Sequence, residues 1–267
     1  MATVGFIGAG NMGGALLRAA AKKLAPSEIL VADVDAKKVL AWEDELGVKG
    51  ADNFTIAKEA KYIYLAVKPQ FMAEMLKGIA PVLAEREDRF VLVSIAAGMK
   101  TGQLTALAGN PDYPIIRIMP NLAASVGEGA ILYTKSANVT EEELSFYLDY
   151  MQLAGKFYPV AEHLIDAGSS VQGCGPAFAA MFVEAIADGG VSCGLPRPLA
   201  YELAEQMMLG TAKLLIETKK APGVLKDEVC SPGGTTIQGV RMLEKNGFRS
   251  ALFEAVVAAT EKNKDFN

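Results

Sequence analysis

The sequence is poor in the residues from which many catalytic and metal sites are built. In 267 residues it has one histidine, His163, and three cysteines, Cys174, Cys193 and Cys230. The cysteines are odd in number and lack Cys-x-x-Cys spacing, so we expect buried, reduced thiols and neither a disulfide framework nor a zinc site. Because no second histidine is present, His163 is predicted to be a surface residue, and neither a metal centre nor a Ser-His-Asp triad is expected.

Concentrated charge and long apolar runs are also missing. The formal net charge is −5, and lysines and arginines are scattered singly, which argues against nucleic acid or an acidic membrane as a partner. No apolar run is expected to approach the roughly 18 residues of a membrane span. The N-terminus enters a predicted strand directly, without a cleavable apolar segment. We therefore expect no membrane association and a cytoplasmic protein.

Apolar residues are abundant at 51% of the chain, enough for the core of one large domain or two smaller ones. Up to about Glu162, short apolar runs alternate with helical patterns, which is typical of a parallel sheet covered by helices. Beyond Glu162 only helical patterns follow. The sequence therefore predicts an α/β, Rossmann-like dinucleotide-binding domain at 1–161 and an all-α domain at 162–267.

A glycine motif follows the first apolar run. Residues 4–7 predict a strand, and Gly8-Ala9-Gly10-Asn11-Met12-Gly13 leads from it into alanines and leucines with helical spacing. In this pattern the first glycine permits a tight turn, the second lets a pyrophosphate approach, and the third lets helix and strand pack closely. The motif therefore predicts a dinucleotide-binding site.

The residue after the second predicted strand bears on the choice of cofactor. Residues 28–32 form this strand, and Asp33 stands about 20 residues after Gly13, where a ribose-reading carboxylate is expected. A carboxylate accepts hydrogen bonds from a ribose 2′-hydroxyl but repels a 2′-phosphate. Asp33 therefore favours NADH over NADPH, although Lys37 and Lys38 are near enough in sequence to bind a phosphate.

Further apolar runs continue the alternation of strands and helices. The last strand of the sheet edge is expected at 127–133, before a helix at 141–153. Ligands of open α/β sheets bind beyond the carboxyl ends of the strands, so Val67 and Lys68 should line the cofactor cleft. The other strands are predicted at 62–67, 90–95, 115–119 and 156–160.

Long helices are predicted in the second half of the chain. One extends over 166–190 and is interrupted at 173–176, where Pro176 removes an N–H group and glycines loosen the backbone. Another extends over 199–216. An apolar stripe at three- and four-residue spacing on this second helix indicates a core or dimer contact. The stripe consists of Leu203, Met207, Thr211 and Leu214.

A loop near the end of the chain is suited to a small anion. In Ser231-Pro232-Gly233-Gly234-Thr235-Thr236, a helix that begins at Gly234 would present unpartnered N–H groups, reinforced by the helix dipole, to a carboxylate. The glycines let a ligand approach the backbone, and the hydroxyls can cap the helix or contact the ligand. An ordinary capped turn is the alternative.

Six blocks of the sequence occur together in one order. They are Gly8 to Gly13, Ala66-Val67-Lys68-Pro69, Ser94-Ile95-Ala96-Ala97-Gly98, Arg117-Ile118-Met119-Pro120-Asn121, Gly194-Leu195-Pro196-Arg197, and Leu225-Lys226-Asp227 with Ser231 to Thr236. In these blocks the chain resembles the pyrroline-5-carboxylate reductase family from end to end. The resemblance implies an oxidoreductase that reduces the cyclic imine 1-pyrroline-5-carboxylate to L-proline with NADPH or NADH, the last step of proline biosynthesis.

The resemblance also implies an assembly and a division of labour. The all-helical domain is expected to intertwine with that of a second subunit in a homodimer, and some members build larger rings of dimers. Thr236 and Lys68 are expected to be catalytic, with the Thr236 hydroxyl near the ring nitrogen. The implied substrate-binding residues are Met119, Pro120, Glu162, Ser231, Gly234, Thr235 and Thr236. The implied cofactor-binding residues are Gly8, Ala9, Gly10, Asn11, Met12, Gly13, Asp33, Asn53, Ala66, Val67, Lys68, Pro69, Ala96, Ala97 and Gly98.

Two segments depart from the family pattern. Leu122 and Ala123 follow Asn121, where a threonine and a proline are usual, and Gln172, Cys174 and Phe178 replace two serines and a tyrosine. These changes remove hydroxyl groups near the expected cleft and bear on the substrate range. The alternatives are a reductase of another cyclic imino acid or of a hydroxy acid, and a non-catalytic NAD(P)-binding sensor.

Overall fold

The structure of the chain, a computed structural model, describes residues 2–263. The chain divides into two compact units. The first comprises the residues up to Gly173 together with those from Thr260, and the second comprises Cys174–Ala259.

The first unit is built on a sheet that, within the described residues, has eight strands. The strands are β1 (Ala2–Ile7), β2 (Ile29–Ala32), β3 (Lys49–Gly50), β4 (Ala60–Leu65), β5 (Val91–Ser94), β6 (Ile115–Met119), β7 (Gly129–Lys135) and β8 (Gly155–Pro159). Their order across the sheet is β3-β2-β1-β4-β5-β6-β7-β8. Neighbours pair in parallel, except that β6 and β7 are antiparallel.

Helices cover both faces of this sheet. They are α1 (Asn11–Ala21), α2 (Ala36–Leu46), α3 (Asn53–Glu59), α4 (Pro69–Ala84), α5 (Thr101–Leu107), α6 (Glu141–Met151) and α7 (Ile165–Gln172). Alternate strand residues enter opposite cores, because successive side chains of a strand point to opposite faces. Phe6 and Tyr64 lie in one core and Ile7 and Ile63 in the other, all at most 1% exposed. Each such side chain contributes about 1.5–3 kcal/mol to folding.

The structure corrects the sequence-based description of the sheet in two places. β7 lies inside the sheet, between β6 and β8, so the expectation that it forms the edge is wrong. Its central residues Ile131 and Leu132 are both buried, which a strand covered on both faces requires. The strand predicted at 62–67 is β4, which ends at Leu65, so Ala66 and Val67 belong to the loop that follows it.

The second unit consists of helices. They are α8 (Gly175–Ser192), α9 (Arg197–Thr218), α10 (Pro222–Val229), α11 (Thr235–Lys245) and α12 (Phe248–Asn263), whose last residues belong to the first unit. The predicted break in the long helix is confirmed, since α7 ends at Gln172 and α8 begins at Gly175. Among the described residues of this unit, only Ala187, Ala200 and Ala204 are fully buried.

Two expectations need correction, one about the few cysteines and one about the lack of long apolar runs. The thiols are free but not buried within one chain, since Cys193 is exposed and the other two are half-buried. In the part of the chain that the structure describes, Glu162–Ser192 is long and apolar enough to cross a membrane, with a mean hydropathy of 1.2. One segment of this kind is weak evidence, because core helices of other proteins have the same length and composition. His163 is exposed, as predicted.

Candidate functional site

The carboxyl ends of the central strands bring the predicted cofactor segments together in the first unit. The Gly8 N–H donates to the Ala32 carbonyl at 2.8 Å, and the Ala66 N–H donates to the Ile7 carbonyl at 2.8 Å. The glycine motif therefore lies beside the segments that follow β2 and β4. This edge of a parallel sheet is where ligands bind in open α/β folds.

The glycine motif has the geometry of an anion-binding turn. Gly8 has φ +103°, and a Cβ there would lie 2.5 Å from the Ala66 carbonyl oxygen. A Cβ at Gly13 would lie 2.5 Å from the Gly8 oxygen, whereas one at Gly10 would meet no described atom within 4 Å. Gly10 is the N-cap of α1, and no side chain among residues 2–263 caps that helix. The open space at Gly10, facing a helix N-terminus, fits a pyrophosphate.

Asp33 is tied to the glycine motif. Its Oδ2 atom accepts a hydrogen bond from the Ala9 N–H at 2.8 Å, and its Oδ1 atom accepts one from the Asp35 N–H at 3.0 Å. The Lys38 Nζ atom lies 3.7 Å from Asp33 Oδ1, and the Asp33 side chain is 9% exposed. The Asp33 carboxylate therefore lies beside the glycine motif, where it can bind a ribose hydroxyl, and Lys38 lies next to it.

Sequence reasoning missed Trp42, which lies beneath the same motif. Its indole N–H donates to the Ala9 carbonyl at 3.2 Å, and the Arg18 guanidinium lies 4.6 Å from the ring centre. A Cβ at Gly14 would come within 2.3 Å of the Trp42 ring. Trp42 is the one tryptophan in the sequence, so its fluorescence can report on this site.

A cavity of about 940 Å³ lies at the ends of β4 and β5. Pro69 lines it from the start of α4, and Ala97 and Gly98 line it from the turn after β5. Lys68 is the N-cap of α4 and is exposed, with no ion pair to any residue in the described range. Asn53, the first residue of α3, is half-buried. The predicted cofactor segments that end at Pro69 and Gly98 therefore meet at this cavity.

Glu162 and Arg117 form a charged cluster near this cavity. The Glu162 carboxylate accepts hydrogen bonds from the backbone N–H and the hydroxyl of Thr101 at 2.7 and 3.1 Å. Arg117, 3% exposed, lies 3.4 Å from Glu162 and 3.8 Å from Asp166. Neither Thr101 nor Arg117 was predicted to act here. Thr101 and Glu162 are 61 positions apart in the sequence, so only the structure reveals their contact.

Met119 and Pro120 lie at the end of β6, where a small polar network holds the chain. The Gln172 side-chain amide donates to the Met119 carbonyl at 3.1 Å, and the Asn121 amide donates to the Gln172 carbonyl at 2.9 Å. Leu122 follows and is 64% exposed. Two of the positions that depart from the family pattern, Leu122 and Gln172, therefore adjoin the predicted substrate residues.

The loop that holds Ser231 to Thr236 belongs to the second unit. Gly234 is the N-cap of α11, and no side chain in the described part of the chain caps this helix. Gly233 has φ +71°, and a Cβ at Gly234 would lie 2.3 Å from the Ser231 hydroxyl. Thr235 and Thr236 are exposed. The helix begins within one residue of the predicted position, and its first N–H groups face outward for an anion.

Family models match two parts of the chain. A model described as pyrroline-5-carboxylate reductase dimerisation matches residues 162–266. A model described as NADP oxidoreductase coenzyme F420-dependent matches residues 3–98.

Curated relatives and solved structures match over the whole length. The pyrroline-5-carboxylate reductase of Escherichia coli is 42% identical over 98% of this chain and 97% of its own. That of Glycine max is 38% identical over 99% and 96%. The Coxiella burnetii pyrroline-5-carboxylate reductase structure has a TM-score of 0.91 at 29% identity, over 100% of this chain and 98% of its own. The Plasmodium falciparum pyrroline carboxylate reductase with NADP bound has a TM-score of 0.87 at 29% identity, over 99% and 98%.

Proposed function

The chain belongs to the pyrroline-5-carboxylate reductase family, and we propose how its residues bind and reduce the substrate. The protein is an NAD(P)H-dependent oxidoreductase that reduces 1-pyrroline-5-carboxylate to L-proline, the last step of proline biosynthesis. The observation that carries the division of roles is that two helices have a glycine N-cap and no capping side chain among the described residues, at Gly10 for the cofactor and at Gly234 for the substrate.

The cofactor is bound by the first unit in this proposal. Its nicotinamide supplies the hydride for the imine carbon. The backbone from Gly8 to Gly13 binds the pyrophosphate, and Asp33 binds the adenosine ribose. The remaining predicted residues flank the cofactor along the strand ends. They are Asn53, Ala66, Val67, Lys68, Pro69, Ala96, Ala97 and Gly98.

The substrate carboxylate is bound by the backbone N–H groups at the start of α11. Gly234, Thr235 and Thr236 supply these groups, and the missing Cβ atom of Gly234 leaves room for the Ser231 hydroxyl, which would lie 2.3 Å from it. The Thr236 hydroxyl lies near the ring nitrogen, and Ser231 lines the loop. A cyclic iminium arrives already protonated, so the site needs to orient it and exclude water rather than to supply a strong acid.

The remaining predicted residues belong to the first unit. In this proposal Met119 and Pro120 bind the substrate ring, and Lys68 places a positive charge beside the nicotinamide ribose. Sequence reasoning also assigned Glu162 to the substrate. Its contacts with Thr101 and Arg117 support a different role.

NADH is the preferred cofactor in this proposal. A 2′-phosphate on the adenosine ribose would meet the Asp33 carboxylate, and two like charges at close range repel one another. Lys38 lies 3.7 Å from Asp33 and offsets part of this repulsion. The preference is therefore expected to be moderate.

Assembly and location complete the proposal. The protein forms a dimer through its helical region, which matches the family's dimerisation model. We further propose intertwined helical domains with a boundary between residues 161 and 162, assembly of dimers into a larger ring, and a cytoplasmic location without membrane association. The exposed apolar residues of the second unit support the dimer.

Initial rates with 1-pyrroline-5-carboxylate under NADH and NADPH test the function and the cofactor preference together. Wild type should oxidise both, with a several-fold higher kcat/KM for NADH, and Asp33→Ser should move the preference towards NADPH. A panel with six-membered cyclic imines and hydroxy acids serves as the control. Higher kcat/KM on those compounds would favour the alternative reductases, and cofactor binding without turnover would favour a sensor. A clear NADPH preference in wild type would overturn the role of Asp33.

A further inference from the structure

Glu162 uses both of its carboxylate oxygens inside its own chain. Oε1 accepts the backbone N–H of Thr101 at 2.7 Å, and Oε2 accepts the Thr101 hydroxyl at 3.1 Å. The Glu162 side chain is 29% exposed, so one side of it is covered. A carboxylate held by two donors on one residue acts as a clamp on that residue.

Arg117, on β6, forms an ion pair with Glu162. Its side chain is 3% exposed, and its Nη1 atom lies 3.4 Å from Glu162 Oε1. The Nη2 atom lies 3.8 Å from Asp166 Oδ1 and makes no hydrogen bond to any described residue. A buried guanidinium needs opposite charge nearby. Glu162 therefore lies between the buried Arg117 guanidinium and Thr101.

The clamped residue, Thr101, is the first residue of α5. A helix start leaves its first N–H groups without partners, and a side-chain oxygen normally accepts one of them. The N-cap of α5 is Lys100, whose side chain cannot accept a hydrogen bond. Glu162 supplies the missing acceptor, and its negative charge suits the positive end of the helix dipole.

The turn before Thr101 is held at both ends. At its beginning, the Ala96 N–H donates to the Ser94 hydroxyl at 3.2 Å. At its end, Glu162 holds Thr101. Between them Gly98 adopts φ +72°, and Ala97 and Gly98 line the cavity. The position of α5 therefore determines where this turn stands.

We propose that Glu162, aimed by Arg117, is a positioning residue that fixes the turn Ala96 to Gly98 through Thr101 and thereby sets the affinity for the nicotinamide end of the cofactor. The inference rests on the proposed function, in which this turn binds the cofactor. Glu162 then acts on NADH binding without touching the substrate, which separates it from the role suggested by the sequence.

Binding of NADH to Glu162→Ala tests the inference without any turnover. Energy transfer from Trp42 to the reduced nicotinamide measures the Kd, because Trp42 is the one tryptophan and contacts the glycine motif. Loss of the clamp should raise the Kd about tenfold, the effect of losing a hydrogen bond to a charged group. The KM for the imine at saturating NADH should change less than about threefold.

Glu143→Ala is the matched control. Glu143 makes the same kind of contact, accepting from the Thr140 N–H at 2.8 Å and pairing with Arg89. Glu143 lies near the amino ends of the strands, whereas the cavity lies at their carboxyl ends. Tyr62, near the beginning of β4, donates a hydrogen bond to the Glu143 backbone carbonyl. Both variants should lose stability, but Glu143→Ala should keep the NADH Kd within about twofold of wild type.

Two further variants keep the test decisive if Glu162→Ala fails to fold. Thr101→Val leaves Glu162 paired with Arg117 and removes the hydroxyl contact only. Glu162→Gln keeps one acceptor for the Thr101 N–H and loses the charge. Each should raise the NADH Kd by a smaller factor than the alanine variant, of about twofold to fivefold. Values equal to wild type in both would overturn the inference.

The outcomes separate the inference from the proposed function. If wild type binds NADH and reduces the imine, but Glu162→Ala raises only the KM for the imine, Glu162 contacts the substrate and the inference is wrong. If Glu162→Ala and Glu143→Ala raise the NADH Kd equally, the effect is global destabilisation and the inference is also wrong. Failure of wild-type protein to bind NADH or to reduce the imine would overturn the proposed function itself.

Discussion

At the scale of single residues, the chain does its chemistry with hydroxyls and backbone N–H groups. The start of α11 carries Thr235 and Thr236, both exposed, and no described side chain caps it. Such N–H groups bind a carboxylate without any charged side chain, because the helix dipole adds to their effect. This explains how a reductase can function with one exposed histidine.

Thr236→Ala should lower kcat/KM for 1-pyrroline-5-carboxylate by on the order of tenfold or more, because one hydrogen bond next to a charge is lost. Steady-state kinetics at saturating cofactor measures this change. Thr236→Ser keeps the hydroxyl and is the control, with most of the activity retained. Equal rates for the alanine variant and wild type would remove Thr236 from the mechanism.

At the scale of elements, helix starts are stabilised by carboxylates in two different ways. In α6 the acceptor is local, since Thr140 and Glu143 form a capping box. In α5 the acceptor comes from Glu162, distant in sequence.

Burial alone would raise the pKa of Glu143, but hydrogen bonds from Arg89 and Thr140 lower it below its usual value.

The low pKa of Glu143 makes stability depend on pH. Because the folded-state pKa lies below the unfolded one, the contribution is present above the unfolded-state pKa of about 4.3 and is lost as the pH falls through the folded-state pKa. Urea unfolding at pH 7 should show Glu143→Gln to be less stable by about 1–3 kcal/mol. The difference from wild type should shrink towards pH 3.

The control for this experiment lies on the same helix. Glu141 is 85% exposed, and its one ion pair within residues 2–263 is with Lys135 at 3.1 Å; exposed ion pairs contribute little. Glu141→Gln should therefore keep the wild-type dependence on pH. A difference between wild type and Glu143→Gln that stays constant from pH 7 to pH 3 would contradict the role given to Glu143.

At the scale of the whole molecule, the second unit has only a small core among its described residues. Its fully buried residues, within the described range, are three alanines. Large apolar side chains remain exposed instead, including Leu203 at 52% and Met207 at 41%. Apolar surface of this kind is stable only when another surface covers it. The dimerisation model matches this helical region, and we propose that the dimer covers this apolar surface, including the predicted stripe on α9.

Met207→Lys should weaken the dimer, because a charged side chain would be buried at the interface. Sedimentation equilibrium should show an increased monomer fraction, and activity should fall with it at low protein concentration. Leu40→Lys is the control, since Leu40 is 59% exposed on α2 of the first unit. A Met207→Lys protein that sediments as wild type would place the stripe outside the dimer contact.

The sequence by itself determined the local structure, because its signals act between neighbouring residues. The glycine motif, the apolar strands and the start of α11 follow from turn geometry and side-chain periodicity. Pairing across the chain followed from tertiary structure alone. β3 has two residues, too few for a pattern, and β7 entered the sheet because β8 pairs beyond it. Glu162 contacts Thr101 and Arg117 through the tertiary structure, since strand order decides which side chains that are distant in sequence lie close together.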